Sequence, residues 1–382
     1  MQNLLRQNNE DLLRDIEQIR AALREAEPSL LPELRAFYEW LVVRCEGLQQ
    51  EILQNLDDLG LGQDRILPDV LSNTQVITRY LHLFNRFLIS PVIRARPSDQ
   101  LCLRLLQWLH AAHPYTQHIP AAFSDGSFAS WPDPRFPTIY FMPPSAQRRL
   151  LYLPLFFHEF GHLLYACHKL ELDDLVRGLQ QTISECLEPS AQRDDAHAQR
   201  DQARRSVIVE TWFEWTHEIF CDAVGLVIGG PAFAHAFSMY FRLLGRDEYH
   251  LRPEYLAGRE HPVTWLRIRL IADRARRMRC REIAPSLENV WQTIANQMSI
   301  REDYYGFYVP EFLPAIQQTI DDMLEEASPR RFEGHEVDTS AQDIRLMSPV
   351  QLVNQAWHHF YTDASNYSDW ENETIRLWLD AL

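Results

Sequence analysis

The chain has 382 residues, of which 46% are hydrophobic and 24% are charged, a composition typical of globular proteins rather than disordered ones. Its 53 acidic side chains outnumber its 37 basic side chains, so the formal net charge is −16. This balance excludes the overall basic footprint of nucleic-acid-binding proteins, and we expect no nucleic-acid partner.

The cysteines and the short apolar stretches indicate where the protein works. The six cysteines are scattered, without the close spacing of a zinc knuckle or a redox pair, which favours a reducing compartment. Residues 1–15 lack the apolar core of a signal peptide, and no stretch approaches the ~20 apolar residues that span a bilayer. We therefore expect a cytoplasmic protein with no membrane partner.

The N-terminal segment, residues 3–26, has apolar residues at alternating spacings of four and three, the pattern of a short heptad seam. The inward positions of this seam are Leu5, Asn9, Leu12, Ile16, Ile19 and Leu23. The pattern fits a helix that packs on its own domain. It also fits a short coiled coil, so a homo-oligomer formed through this helix is the alternative.

Apolar periodicity and end signals predict that most of the remaining chain is helical. The predicted helices cover about 32–58, 69–90, 98–112, 153–169, 204–228, 232–244, 262–281, 286–299, 310–327, 348–361 and 370–381. Residues 113–137 hold five prolines and are predicted to form a loop, whereas residues 138–142 are the best strand candidate. Residues 187–203 are predicted to be a loop or an exposed helix start, and residues 328–347 a loop.

The segment His158-Glu-Phe-Gly-His162 fits the pattern H-E-x-x-H on a predicted helix. Residues four apart lie on one face of a helix, so both imidazoles can bind one metal ion. Zinc accepts imidazole nitrogen at about 2.0–2.1 Å. Glu159 lies about 100° around the helix from His158, which suits a general base acting on a water rather than a ligand. The alternative is a pair of core histidines without a metal.

The surroundings of this motif are apolar, and buried polar groups need partners. Gly161 costs a helix about 1 kcal/mol relative to alanine, so its presence predicts the close approach of a substrate or of a second helix. His168, six positions after His162, leaves the ligand face and is predicted to lie at the helix end or on the surface.

The third ligand is expected on the helix at 204–228, because catalytic zinc usually has three protein ligands. This helix has an acidic side chain at every fourth position: Glu210, Glu214, Glu218 and Asp222. Carboxylates along one stripe repel each other unless a cation faces them. His217 points off this stripe and is a weaker candidate.

An H-E-x-x-H helix followed by a helix with E-x-x-x-D, here Glu218 and Asp222, resembles the gluzincins, the thermolysin-like metallopeptidases. The resemblance implies that Glu218 is the third zinc ligand and that Asp222 orients a zinc-binding histidine, which physical reasoning also favours. Glu214 is the alternative ligand or a supporting carboxylate. The resemblance spans roughly residues 136–275 and implies one zinc ion per chain.

A third block, from His261-Pro through Arg267-Ile268, resembles the His-Pro-x-x-x-x-Arg-Ile block of the CAAX prenyl protease and heat-shock membrane protease group. The resemblance places His261 or Arg267 at the oxyanion of the reaction. In the alternative, His261 begins a helix and Arg267 pairs with the acidic stripe. The chain departs from those families because it lacks their membrane spans and has a polar insertion between His162 and Glu218.

Together these features predict a mainly α fold of the α+β type with three regions. They are an N-terminal helical region at 1–112, a zincin-like metallopeptidase core at 113–282 with a small β element before the zinc helix, and a C-terminal helical region at 283–382. The predicted function is zinc-dependent hydrolysis of a protein or peptide, with the strand at 138–142 pairing with substrate through its edge. The alternative is a helical interaction or regulatory protein with a non-proteolytic metal site.

Overall fold

The computed structural model describes residues 1–116, 119–188, 195–244, 253–278, 280–338 and 343–381. It consists mainly of helices with one small three-stranded sheet, which confirms the predicted fold class. Among the described residues, no helix combines the length and the apolar character that crossing a bilayer requires.

The chain divides into two compact units. The N-terminal unit comprises Met1–Ala111 and Gln117–Gln147, and the C-terminal unit comprises Ala112–Thr116 and Arg148–Leu382. The three predicted regions, 1–112, 113–282 and 283–382, have other boundaries than these compact units. They stay a prediction.

The N-terminal unit contains the helices α1 (Gln2–Ala26), α2 (Arg35–Gly60), α3 (Leu67–Leu83), α4 (Ser90–Arg94) and α5 (Gln100–Ala111). The single helix predicted at 69–90 ends earlier than expected, at Leu83, and a π-helical turn at Phe84–Leu88 follows. The next helix, α4, begins with Pro91 in its first turn, where the missing N–H of proline is tolerated.

The seam of α1 is buried within its own unit, because α1 packs on α2 and α3. At the polar position of the seam, Asn9 Nδ2 donates to Thr74 Oγ1 at 2.9 Å. Asn55 Nδ2 donates to Asn9 Oδ1, also at 2.9 Å. The first of the two predicted alternatives, packing on its own domain, therefore accounts for the seam. The predicted homo-oligomer stays a prediction and would use another face of this helix.

The sheet consists of β1 (Ala121–Ser124), β2 (Ala129–Trp131) and β3 (Ile139–Met142), in the order β1-β3-β2. The central strand β3 is parallel to β1 and antiparallel to β2. The strand prediction at 138–142 is confirmed, but the loop prediction at 113–137 is wrong because two strands lie there. Pairing of β3 with a substrate through its edge is also wrong, since both its sides are occupied by neighbouring strands.

The C-terminal unit contains α6 (Leu155–Cys167), α7 (Lys169–Cys186), α8 (Asp195–Gly229), α9 (Pro231–Leu243), α10 (Thr264–Arg277), α11 (Ile283–Met298), α12 (Leu313–Ala327), α13 (Pro349–Thr362) and α14 (Tyr367–Asp380). Most of these helices were predicted, but α7 was not. The predicted loops include residues 189–194 and 339–342, which lie outside the described residues.

The buried polar group on α1 gives the first prediction. Asn9→Ala removes two buried side-chain hydrogen bonds, one with Thr74 and one with Asn55, so we expect a loss of about 1–3 kcal/mol in the free energy of unfolding, measured by urea denaturation. The matched control is Asn8→Ala, one position earlier on the same helix and exposed. Equal effects of the two substitutions would show that the Asn9 contacts do not stabilise this unit.

Candidate metal centre

The close contact between α6 and α8 positions the candidate site. A Cβ atom added to Gly161 would lie 2.7 Å from the Cα of Cys221, closer than real Cβ contacts. Glycine therefore allows the two helix backbones to approach each other. Of the two predicted reasons for this glycine, a second helix is the one that the structure shows.

This contact brings His158 and His162 of α6 to Glu218 of α8. The ligand atoms of the three side chains lie within 4.8 Å of one another. Nε2 of His158 is 3.5 Å from Oε2 of Glu218, and Nε2 of His162 is 3.7 Å from Oε1. His158 and Glu218 are buried, and His162 is half-buried. Three predicted ligands from two helices thus converge on one point.

The distances within this group fit ligands of a shared ion better than hydrogen bonds. Protein N–H···O bonds have heavy-atom distances of about 2.7–3.2 Å. Two ligands that bind a tetrahedral ion at about 2.0–2.1 Å lie roughly 3.3–3.4 Å apart, close to the distances found here. Oε2 of Glu218 is also buried, and its contacts among the described residues are ion pairs with His158, His261 and Arg267. These side chains can therefore hold a metal ion.

Asp222 and Arg267 contact the side chains of this group. Oδ1 of Asp222 lies 2.9 Å from Nδ1 of His158. The guanidinium of Arg267 donates to both carboxylate oxygens of Asp222, at 2.8 and 2.6 Å, and its Nη2 lies 3.2 Å from Oε2 of Glu218. The same guanidinium lies over the rings of Phe237 and Phe241. Arg267 thus pairs with the acidic stripe, as one of the two predicted alternatives required. The other part of that alternative is wrong, because the helix begins at Thr264 and not at His261.

The charges in this buried group shift the pKa values of Glu218 and His158. Burial would raise the pKa of Glu218, but Arg267 and the neighbouring histidines hold it below its usual range, so the carboxylate is ionised. Burial would lower the pKa of His158, but Asp222 raises it above its usual range. Because a metal ligand must be neutral imidazole, binding of an ion would compete with protonation of His158.

His261 and Glu159 flank the group. Nε2 of His261 lies 3.6 Å from Oε2 of Glu218, and its side chain is 52% exposed, so it stands on the solvent side. Glu159 is buried on α6 next to His158.

By contrast, Glu214 is exposed and belongs to neither of the candidate metal-binding groups found among the described residues. His168 caps the end of α6, as predicted.

His217 and Cys221 of α8 contact the far side of His162. Nδ1 of His162 is 3.4 Å from Nε2 of His217 and 3.4 Å from Sγ of Cys221. The sequence pattern predicts His217 only as a weaker ligand candidate and does not single out Cys221. Their spacing of four residues on a helix was the available signal, because it places both on one face, next to the face that carries Glu218.

No known family model, curated protein or solved structure matches the chain. The resemblance to the gluzincins therefore rests on the three sequence blocks and stays a prediction.

The contact at Gly161 gives the second prediction. Gly161→Ala forces α6 and α8 apart, so we expect a net loss of about 1–3 kcal/mol in the free energy of unfolding despite the higher helix propensity of alanine. The control is Gly178→Ala in α7, where an added Cβ meets nothing within 4 Å. That change should stabilise the protein by about 0.4–1 kcal/mol. Thermal and urea unfolding measure both, and two stabilised variants would contradict the close helix contact.

The buried pairing of Arg267 gives the third prediction. Arg267→Met leaves the buried carboxylates of Asp222 and Glu218 without their cation, and breaking such a pair costs about 3–5 kcal/mol. The control is Arg281→Met, which breaks an exposed pair with Glu282 and should cost ~0–1 kcal/mol. Urea denaturation of both variants is the measurement, and a similar small cost for each would mean that Arg267 is not the structural cation of this site.

Proposed function

We propose that the protein is a zinc-dependent peptidase whose single zinc ion is held by His158, His162 and Glu218. The observation that carries the proposal is the convergence of two imidazole Nε2 atoms on one buried carboxylate, at 3.5 and 3.7 Å from its oxygens. Two histidines and one carboxylate form a donor set that suits zinc and leaves a position open for catalysis.

Zinc bound there would polarise the carbonyl of a scissile peptide bond and lower the pKa of a water toward ~7. The remaining chemistry falls to side chains of the chain itself. Glu159 follows His158 on α6, so its carboxylate serves as the general base that takes a proton from the attacking water and passes it to the leaving amine. Glu159 also separates this proposal from a purely structural metal site, which needs no such base.

His261 is the proposed donor to the developing oxyanion. Its Nε2 lies 3.6 Å from Oε2 of Glu218, and its side chain is half-exposed, so a substrate could reach it. A hydrogen-bond donor at that position stabilises negative charge that develops on the substrate carbonyl. We assign Arg267 to a different role, since its guanidinium is buried and already donates to both oxygens of Asp222.

The proposed substrate is a protein or peptide, since a metal-activated water with a carboxylate base suits hydrolysis of an amide bond. The proposal places the reaction in the cytoplasm, in accordance with the scattered free cysteines. We propose no nucleic-acid or membrane partner.

The test is Glu159→Gln, assayed on a peptide library in which mass spectrometry detects new termini. We expect unchanged metal content and cleavage slowed by about 10²–10⁴-fold, because only the proton acceptor is removed. The matched control is Glu171→Gln on α7, exposed and one helix away, which should cleave like the wild type.

Two results would contradict this proposal. Full cleavage by the Glu159→Gln protein would show that the base lies elsewhere. A metal-loaded wild type that cleaves no peptide bond in the library would favour the alternative, an interaction or regulatory protein that keeps a non-proteolytic metal site.

A further inference from the structure

We propose that His217 is a positioning residue that fixes the ring of His162 by accepting a hydrogen bond from its Nδ1–H. The inference rests on the proposed metal centre and assigns a role on the side of His162 that faces away from Glu218. It starts from the short contacts around Nδ1 of His162, where both His217 and Cys221 of α8 lie at 3.4 Å.

The protonation of His162 follows from its role as a ligand. A neutral imidazole has one N–H and one lone pair, so a ring that binds a metal through Nε2 must have its proton on Nδ1. Metal-binding histidines almost always donate this second N–H to an acceptor, which fixes the ring orientation and makes the ligand more basic. Nδ1 of His162 therefore needs an acceptor, and α8 offers two.

Of these two, His217 is the stronger acceptor. An imidazole nitrogen has a lone pair in the ring plane, whereas a thiol sulfur accepts hydrogen bonds only weakly. His217 is also held in place, because its ring stacks on Tyr165 with the centroids 3.8 Å apart and the planes 24° apart. Tyr165 is fixed in turn, since its hydroxyl donates to Asp173 at 2.7 Å.

The two ligand rings are thus supported in different ways from the same helix. His158 contacts the carboxylate of Asp222, whereas His162 contacts the imidazole of His217, and these two residues lie on either side of Glu218 along α8. Asp222 and Glu218 already place two carboxylates beside one guanidinium. A third buried carboxylate would repel both. An uncharged acceptor therefore supports His162 without adding negative charge.

A competing interpretation is a second metal ion bound by Nδ1 of His162, His217 and Cys221, whose ligand atoms also lie within 4.8 Å of one another. If His162 also binds the first ion, its ring would have to bridge two metals without any proton. The number of metal ions per chain distinguishes this arrangement from a positioning role.

The experiment measures zinc affinity by competition with a chromogenic chelator, together with zinc per chain, for the full chain and three variants. His217→Leu removes the acceptor, so we expect zinc affinity to fall by about 10–100-fold with one site still present. His217→Gln places an amide oxygen near the position of Nε2 and should restore affinity close to that of the wild type. Cys221→Ala, which keeps the contact with Gly161 small, should change affinity little. Circular dichroism of the zinc-free proteins checks that each variant folds.

Rescue by glutamine but not by leucine is a result that a merely structural histidine would not give. The proposal is overturned if His217→Leu binds zinc as tightly as the wild type, if glutamine fails to rescue in a folded protein, or if the wild type holds two zinc ions and Cys221→Ala holds one. A folded wild type that binds no zinc would instead refute the metal centre itself, and the role of His217 with it.

Discussion

The close approach of α6 and α8 at Gly161 and Cys221 is the contact on which the rest of the site depends. It brings two helices with different chemistry, one with paired histidines and one with regularly spaced acids, close enough for their side chains to share one ion. The spacing of four residues on each helix then places the functional side chains on one face of that helix. On α6 it aligns His158 with His162, and on α8 it places Asp222 one turn beyond Glu218.

Burial makes each charge in this group costly unless it is paired. Two carboxylates, Glu218 and Asp222, lie in an interior where an unpaired charge is costly, and Arg267 pairs with both. The guanidinium itself lies over two phenyl rings of α9, which favour a cation over their faces. The support for the metal ligands therefore extends from α8 through α10 to α9, which explains why the proposed peptidase core needs several helices around a short motif.

The sequence predicted most of the helices and the three ligand candidates, because both depend on local spacing. The seam of α1 and the pair His158 and His162 are patterns that one helix displays by itself. The prediction is wrong where a strand is too short to show a clear pattern, and it omits one helix. The strands β1 and β2 have only four and three residues, among prolines, and the prediction does not include α7 although its buried residues have helical spacing.

The remaining roles could not be predicted from the sequence, because they depend on contacts between elements that are distant in the chain. Arg267 could face an oxyanion or the acidic stripe, and only the packing of α10 against α8 decides between them. His217 is a weaker ligand candidate because it points off the stripe, yet that direction leads to Nδ1 of His162. In both cases the local pattern gave the residue and the tertiary contact gave its partner.

The central claim is that this group of side chains holds a catalytic metal, and metal content tests it most directly. Plasma mass spectrometry would measure the metals in wild-type protein and in His162→Ala, both purified without added metal. The account predicts about one zinc per chain in the wild type, as a three-ligand catalytic site requires, and none in the variant. A well-folded wild type that contains no metal would contradict it and leave the convergence of His158, His162 and Glu218 without a function.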